Sequence, residues 1–385
     1  MIPGLERLDS GPPLRDSRIG LVLHPASVTR DLELADRYIT RLMLAQVAAL
    51  FGPQHGIRGE KQDNMIESAS FRDARRDIPV FSLYSDVRKP TPEMLEGLDA
   101  VVFDLQDVGV RIYTFATTLL LTMEACGAAG IPVVVCDRPN PVTGTLREGP
   151  LLRDGYRSFV GPAPIPLRHG LTLGELGRLA VGEFGIACEL HVIPCEGWRR
   201  DTWFDDTGLP FVLPSPNLPT VESCVVYPGM VLLEGTNLSE GRGTTKPFEL
   251  FGAPYLDADD LVETLDGFEL PGVRFRACSF EPTYQKHAGQ LCGGAQLHVT
   301  DRETFRPVWT AVAILRAAKD LAPEEFAWRP PPYEYEYEKP PIDILWGSSA
   351  LREEIDSGAG VEEVMRDEAR EIGEFDLRVR PYLIY

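Results

Sequence analysis

The sequence predicts an α/β protein: a Rossmann-like, doubly wound parallel-sheet domain over residues 1–155, then a smaller mixed α+β domain over 156–385. Three observations predict it. A chain of 385 residues exceeds what one hydrophobic core usually serves. Its first 140 residues alternate short β-branched apolar runs with helical stretches, the pattern of a parallel sheet covered on both faces. From about 141 to 168 proline and glycine thicken, as in GPAPIPLRHG, which marks a linker.

RIGLVLHP (18–25) opens the sheet, and DLELADRYITRLMLAQ comes next with helical spacing behind Asp31 as its cap. VAALFGPQ (47–54), PVFSLYS (79–85), LDAVVFDLQD (98–107) and PVVVCDRP (132–139) read as the next four strands. Between the last two, TFATTLLLTMEACGAAG reads as a helix closed by Gly127 and Gly130. Crossovers in such sheets are right-handed, which makes the doubly wound layer the default. In the second half, Thr172 and Glu175 form a capping box that opens the helix LTLGELGRLAVGEFG. CELHVIPCE, FELFGAPYL, GVRFRACSF and GGAQLHVTD supply strands, while ADDLVETLDG and TFRPVWTAVAILRAAKDL supply helices. LPFVLPSPNLPT reads as an ordered surface loop. RPPPYEYEYEKPP (329–341) reads as extended chain, because proline cannot support a helix. LREEIDSGAGVEEVMRDEAREIGEFDLR reads as two acidic helices packed on the outside.

Bulk properties exclude several classes. A formal net charge of -20 repels phosphate backbones and anionic membranes, so neither nucleic acid nor a membrane is expected as a partner. No signal peptide is visible at the N-terminus, and no apolar stretch is long enough to span a bilayer. The seven cysteines are scattered without CxxC spacing and read as reduced core residues, which points to the cytoplasm. Self-association as a homodimer is left open. HPASV stands after the first strand where a dinucleotide site would need GxGxxG, so no cofactor is expected. There is no GxSxG elbow and no HExxH, and six dispersed histidines make no metal site.

What remains is polar clusters beyond the carboxyl ends of the strands, where open α/β sheets bind ligands. GPQHGIRGE supplies Gln54, His55, Arg58 and Glu60; DLQDVGVRIYT supplies Asp104, Gln106, Asp107, Arg111 and Tyr113; DRPNP supplies Asp137, Arg138 and Asn140. His24 ends the first strand. Each has a plainer reading. Asp104 and Asp107 equally suit a helix cap or a pair with Arg111, Asp137 and Arg138 an ion pair fixing their loop, and His55 a turn histidine. In the second half LLEGTNLSEGRGTTKPFE (232–249) packs Glu234, Asn237, Ser239, Glu240, Arg242, Lys246 and Glu249 between glycines and a proline. A loop so polar, without low-complexity character, suits ligand hydrogen bonding better than solvation. Asn217, Lys286 and His287 are further candidates. Carboxylates, amides and arginines together suit a polyhydroxylated substrate, and two carboxylates can cleave a glycosidic bond.

Several segments carry a family resemblance. FGPQHGIRG, SLYSDVRKPTPEML, VFDLQDVGVRIYT, VCDRPNPVTG, PIPLRHGLTLGEL, LPSPNLPT and above all VYPGMVLLEGTNLSEGRGTTKPFELFGAP resemble the bacterial exo-β-N-acetylmuramidases, from about residue 18 to the C-terminal PYLIY. That resemblance implies a Rossmann-like domain joined to a smaller α/β domain with the site between them. It also implies release of N-acetylmuramic acid from the non-reducing ends of peptidoglycan fragments, in cell-wall recycling. The expected partner is thus a small amino sugar or muropeptide. Many relatives read PEHG where this chain reads Pro53-Gln54-His55-Gly56. An amide neither gives nor takes a proton at neutral pH. Either another carboxylate serves here, or this branch has a different substrate or does not hydrolyse.

On this reading Glu240 is the first choice for the general acid, with Glu234, Glu60 and Asp104 as other candidates. Asp107, or the substrate's own acetamido group, would oppose it. Arg58, Arg138 and Arg242 would take the lactyl carboxylate or hydroxyls. Gln54, His55, Arg111, Tyr113, Asn140, Asn217, Asn237 and His287 would hold the ring. Two other readings compete: a sugar-binding protein without turnover, encouraged by Gln54, and a metal-assisted deacetylase or amidase.

Overall fold

The computed structural model describes residues 1–63 and 65–385. The first half runs β1 (Arg18–Leu23), α1 (Ala35–Arg41), β2 (Gln46–Gly52), β3 (Phe71–Asp73), β4 (Ile78–Ser82), α2 (Pro92–Leu95), β5 (Ala100–Asp104), α3 (Phe115–Ala129) and β6 (Val133–Cys136). After the linker come α4 (Leu173–Glu183) and β7 (Leu190–Ile193). These strands make one seven-stranded sheet in the order β3-β4-β2-β1-β5-β6-β7. All neighbours are parallel except β3, which pairs antiparallel with β4. The chain moves outward from β1 through β2 to β4, then returns to the other flank of β1 as β5. That reversal puts a topological switch point between the carboxyl ends of β1 and β5.

The second half holds α5 (Val221–Met230), β8 (Leu250–Ala253), α6 (Ala258–Asp266), β9 (Val273–Phe280), β10 (Cys292–Val299) and α7 (Pro307–Leu321). Its sheet is antiparallel with β10 in the middle. Four short helices finish the chain: α8 (Pro341–Trp346), α9 (Ala350–Ser357), α10 (Val361–Val364) and α11 (Glu368–Val379).

Alternation along the strands sorts the core, since successive side chains leave opposite faces. Ile19, Leu21, Leu50 and Val102 point one way, into a cluster with Leu5, Leu8 and Ile39. Val22, Phe51 and Phe103 point the other way, into a cluster that continues without a break to Leu233, Phe251 and Val312. The two halves therefore share one apolar core.

Several elements differ from expectation, each for a local reason. Asp31 does not cap α1. Thr29 and Ala35 donate backbone hydrogen bonds to Glu33 and Ser27, so a tight turn consumes the DLEL segment and the helix starts at Ala35. Gly130, left-handed at φ 70°, ends α3, whereas Gly127 lies inside it. A Cβ at Gly127 would fall 1.8 Å from the carbonyl oxygen of Ala187, so the close approach explains that glycine. CELHVIPCE, expected in the second half, supplies β7 of the first sheet. The LPSPNLPT loop buries Ser215, Asn217 and Leu218 instead of lying on the surface. The acidic C-terminal stretch breaks into three helices rather than two. The capping box at Thr172 and Glu175 forms as expected.

Two buried arginines fasten the edge of the sheet. Arg138 donates through Nε and Nη2 to the two oxygens of Asp104, at 2.6 and 2.8 Å, with side chains only 5% and 0% exposed. Arg111, fully buried, donates to the carbonyls of Pro150, Ile165, Leu345 and Trp346, and so binds the linker to α8. A buried guanidinium that loses its counter-charge is strongly destabilising. Asp104→Asn should lower the unfolding free energy by about 3–5 kcal/mol in urea titrations. A loss under about 0.5 kcal/mol, the surface-substitution range, would show that the pair does not fasten the sheet edge.

Candidate active site

Gln54 and His55 leave β2, and Tyr113 and Thr114 lie in the β5–α3 connection, so the switch point gathers them at one edge of the sheet. From the second half come Ser215, Tyr227, Glu234, Arg242, Tyr333 and Glu334. Together with apolar Ile112, Val160, Leu218 and Phe248 they line one cleft. Strain concentrates here: His55, Phe248 and Glu334 adopt left-handed φ of 69°, 64° and 45° without being glycine. Such conformations persist where the surroundings over-determine them, commonly at functional sites.

The two carboxylates of the cleft are held differently. Glu234 sits on the short 3₁₀ turn after α5. Arg242 Nη2 donates to its Oε1 at 2.6 Å, and the Tyr333 hydroxyl donates to its Oε2 at 2.5 Å. Gly241 and Gly243, with φ of 78° and 80°, let the loop double back so that Arg242 enters the cleft. Glu334 accepts from the Tyr84 hydroxyl at 2.7 Å and from Gln54 Nε2 at 3.1 Å. Thr114 donates to Gln54 Oε1 at 2.7 Å, which fixes the amide with its NH₂ toward Glu334. Burial, reinforced by the nearby charge of Glu234, outweighs those hydrogen bonds and pushes the Glu334 carboxyl up to about 7. His55 donates from Nδ1 to the Lys61 carbonyl at 2.8 Å and meets Ser215 Oγ through Nε2 at 3.1 Å. Burial pushes its pKa down to about 4, so it is a neutral hydrogen-bonding group at pH 7.

Of the residues singled out in the sequence, the cleft receives Gln54, His55, Tyr113, Glu234 and Arg242. Glu240 lies behind it. Burial alone would raise its carboxyl, but Lys286 at 2.8 Å and Arg242 at 3.3 Å hold it below the usual range, the opposite of what an acid needs. Asn217 binds Gln62 and Tyr284, Asn237 binds Glu325 and Tyr255, and His287 meets the Asn237 carbonyl at 2.6 Å. These side chains brace loops around the cleft. Asp104, Arg111 and Arg138 are spent on fastening the sheet edge. Asn140 bonds Leu171 and Val142, while Asp107 accepts from Gly109 at 2.7 Å and faces His169 at 3.4 Å. Arg58 and Glu60 are exposed along a separate cleft, with Arg58 stacked over Phe71. Among the described residues no three His, Cys, Asp or Glu side chains come together as a metal-ligand group.

Glu334, Tyr333, Tyr227, Tyr84, Ser215 and Thr114 escaped the sequence reading. One signal was present. RPPPYEYEYEKPP alternates tyrosine and glutamate between rigid prolines, an unusual composition for a segment that merely connects.

The raised Glu334 carboxyl has a sign for stability. Its folded pKa lies above the ordinary 4.5, so it favours the folded state below that value, and the benefit disappears as pH rises through about 7. Glu334→Gln carries no such dependence. The stability of the variant minus that of the wild type should rise between pH 4.5 and 7 by up to about 3 kcal/mol, measured by urea unfolding across pH. A flat difference would show that Glu334 is not held in its neutral form.

Residues 19–222 match the N-terminal model, and residues 225–385 the C-terminal model, of the family described as exo-β-N-acetylmuramidase NamZ. The peptidoglycan β-N-acetylmuramidase NamZ of Bacillus subtilis (strain 168) is 47% identical over 372 residues, covering 97% of this chain and 88% of that protein. Two crystal structures of DUF1343 family proteins from Bacteroides fragilis superpose over 100% of this chain and 98% of theirs. Their TM-scores are 0.89 and 0.78, at 31% and 28% identity. The chain belongs to the NamZ exo-β-N-acetylmuramidase family.

Proposed function

We propose that this chain is an exo-acting β-N-acetylmuramidase, a glycoside hydrolase that releases terminal N-acetylmuramic acid from peptidoglycan fragments. The observation that carries the mechanism is the pair of glutamates in one cleft with opposite surroundings, Glu234 ion-paired and Glu334 poised near neutrality. Environments that differ in this way assign the acid and its counterpart. Glu334 gives its proton to the glycosidic oxygen as the bond to the anomeric carbon breaks. Glu234 stabilises the positive charge that develops on the sugar ring. Water then supplies the hydroxyl at the anomeric carbon, and its remaining proton returns to Glu334. Gln54 serves in this scheme as a hydrogen-bond donor to the acid, so its lack of a titrating proton is no obstacle.

All seven cysteines are free thiols, which supports a reducing, cytoplasmic setting and a small imported fragment as substrate. Among the described residues no helix is long and apolar enough to cross a membrane.

The test is incubation of purified protein with 4-nitrophenyl β-N-acetylmuramide and, in parallel, the disaccharide of N-acetylmuramic acid and N-acetylglucosamine. Both should release N-acetylmuramic acid, with kcat falling above pH 7 as Glu334 ionises. Glu334→Gln should lose about 10²–10⁴-fold on the disaccharide and less on the aryl glycoside, whose nitrophenolate leaves without a proton. No release from either substrate would sink the hydrolase reading.

A further inference from the structure

Glu334 reaches the cleft at the tip of a two-residue turn. Tyr333 and Glu336 exchange both backbone hydrogen bonds at 2.9 Å. The residues between them, Glu334 and Tyr335, have left-handed φ of 45° and 67°. Turns that need positive φ at both central positions favour asparagine and glycine, because other side chains crowd the backbone there. A Glu-Tyr pair in that place needs support from outside the turn.

Tyr335 supplies it. The guanidinium carbon of Arg88 lies 3.1 Å from the centre of its ring, and its hydroxyl donates to Glu67 at 3.0 Å. The ring also meets Tyr84 and Phe159 edge-on, at 5.8 and 6.5 Å between centroids. Glu67, Tyr84 and Arg88 all belong to the first half of the chain, so the grip reaches across the cleft. Tyr84 in turn donates to Glu334, so the same ring braces the carboxyl and its donor. Tyr335, Arg88 and Glu67 are all absent from the cleft lining and can affect the reaction only through what they hold.

We propose that Tyr335, clamped by Arg88 and Glu67, is the positioning residue for the general acid, locking the turn so that Glu334 stays buried with its proton facing the glycosidic oxygen. The proposal rests on the reading of Glu334 as the acid. The groups that face Glu334 are Tyr84 after β4, Gln54 after β2, Glu234 and Tyr227 around the end of α5, Arg242 on its loop and Tyr333 on the turn itself. If the turn loosens, Glu334 gains water and moves away from Glu234. Both changes lower its pKa from about 7 toward the ordinary 4.5.

The experiment compares Tyr335→Ala, Tyr335→Phe and Arg88→Lys with the wild type on the disaccharide and on the 4-nitrophenyl glycoside. Thermal melting confirms folding. Tyr335→Ala should lower kcat on the disaccharide by about 10-fold or more with KM little changed. It should also move the alkaline limb of the kcat profile to lower pH and spare the aryl glycoside. Tyr335→Phe keeps the ring under Arg88 and should recover most of the rate, whereas Arg88→Lys replaces the stacked guanidinium and should recover less. An unchanged disaccharide kcat and pH profile in folded Tyr335→Ala would overturn the proposal. So would an equal loss on both substrates with the alkaline limb in place, which marks a merely structural ring. Glu334→Gln, run alongside, separates the two levels. If it hydrolyses the disaccharide at the wild-type rate, the acid assignment itself falls; if it is impaired while Tyr335→Ala is not, only the positioning role falls.

Discussion

The hydrogen bond from Gln54 to Glu334 joins residues 280 positions apart, and through it the two halves of the chain share a site. Its geometry is set from both ends. The parallel sheet fixes where β2 stops, and Thr114 fixes which end of the amide looks into the cleft. The prolines around 330–332 and 340–341 restrict the strap that delivers Glu334. An amide with its NH₂ pinned toward a carboxyl leaves that carboxyl free to exist with or without a proton. A second carboxylate in the same place would compete for one proton. The identity of residue 54 therefore bears on how Glu334 titrates, although Gln54 carries no titrating proton of its own.

Two buried ion pairs support the cleft in a chain that carries a net charge of -20. Lys286 pairs with Glu240 and also donates to the carbonyls of Leu233, Thr236 and Leu238. Arg242 pairs with Glu234. The conspicuous Glu240 thus has a supporting part. It neutralises the lysine that gathers the loop carrying Glu234, and so fixes the carboxylate that faces the cleft. Unpaired buried charge would be very costly. The environment of Glu334 lifts its pKa into the neutral range, which is the property a proton donor at neutral pH requires.

The sheet was legible because apolar β-branched runs announce buried parallel strands directly, and the edge that borders the cleft followed from strand order. Within that edge, sequence could not separate neighbours. Asp104 and Gln54 both end strands, yet Asp104 occupies the last paired position of β5 and turns inward to Arg138, whereas Gln54 lies beyond β2 and faces the cleft. In the EGTNLSEGRGTT loop, Glu234 and Arg242 enter while Asn237 and Glu240 turn away, a choice made by left-handed glycines and a distant lysine. Glu334 was invisible for a related reason. Its partners are all remote in sequence, and a proline-bounded segment has no hydrophobic period to read. The family resemblance pointed to a site between the two halves without distributing roles inside it.

The continuous apolar core has one more implication. Proteins that trap ligands by swinging two lobes together need an interface that can slip or part. Here Phe103 and Leu119 of the first sheet layer lie in the same packed cluster as Leu233, Phe251 and Val312 of the second. Parting those surfaces would expose a core rather than a seam. The cleft is therefore set into one packed body rather than between two lobes that hinge apart.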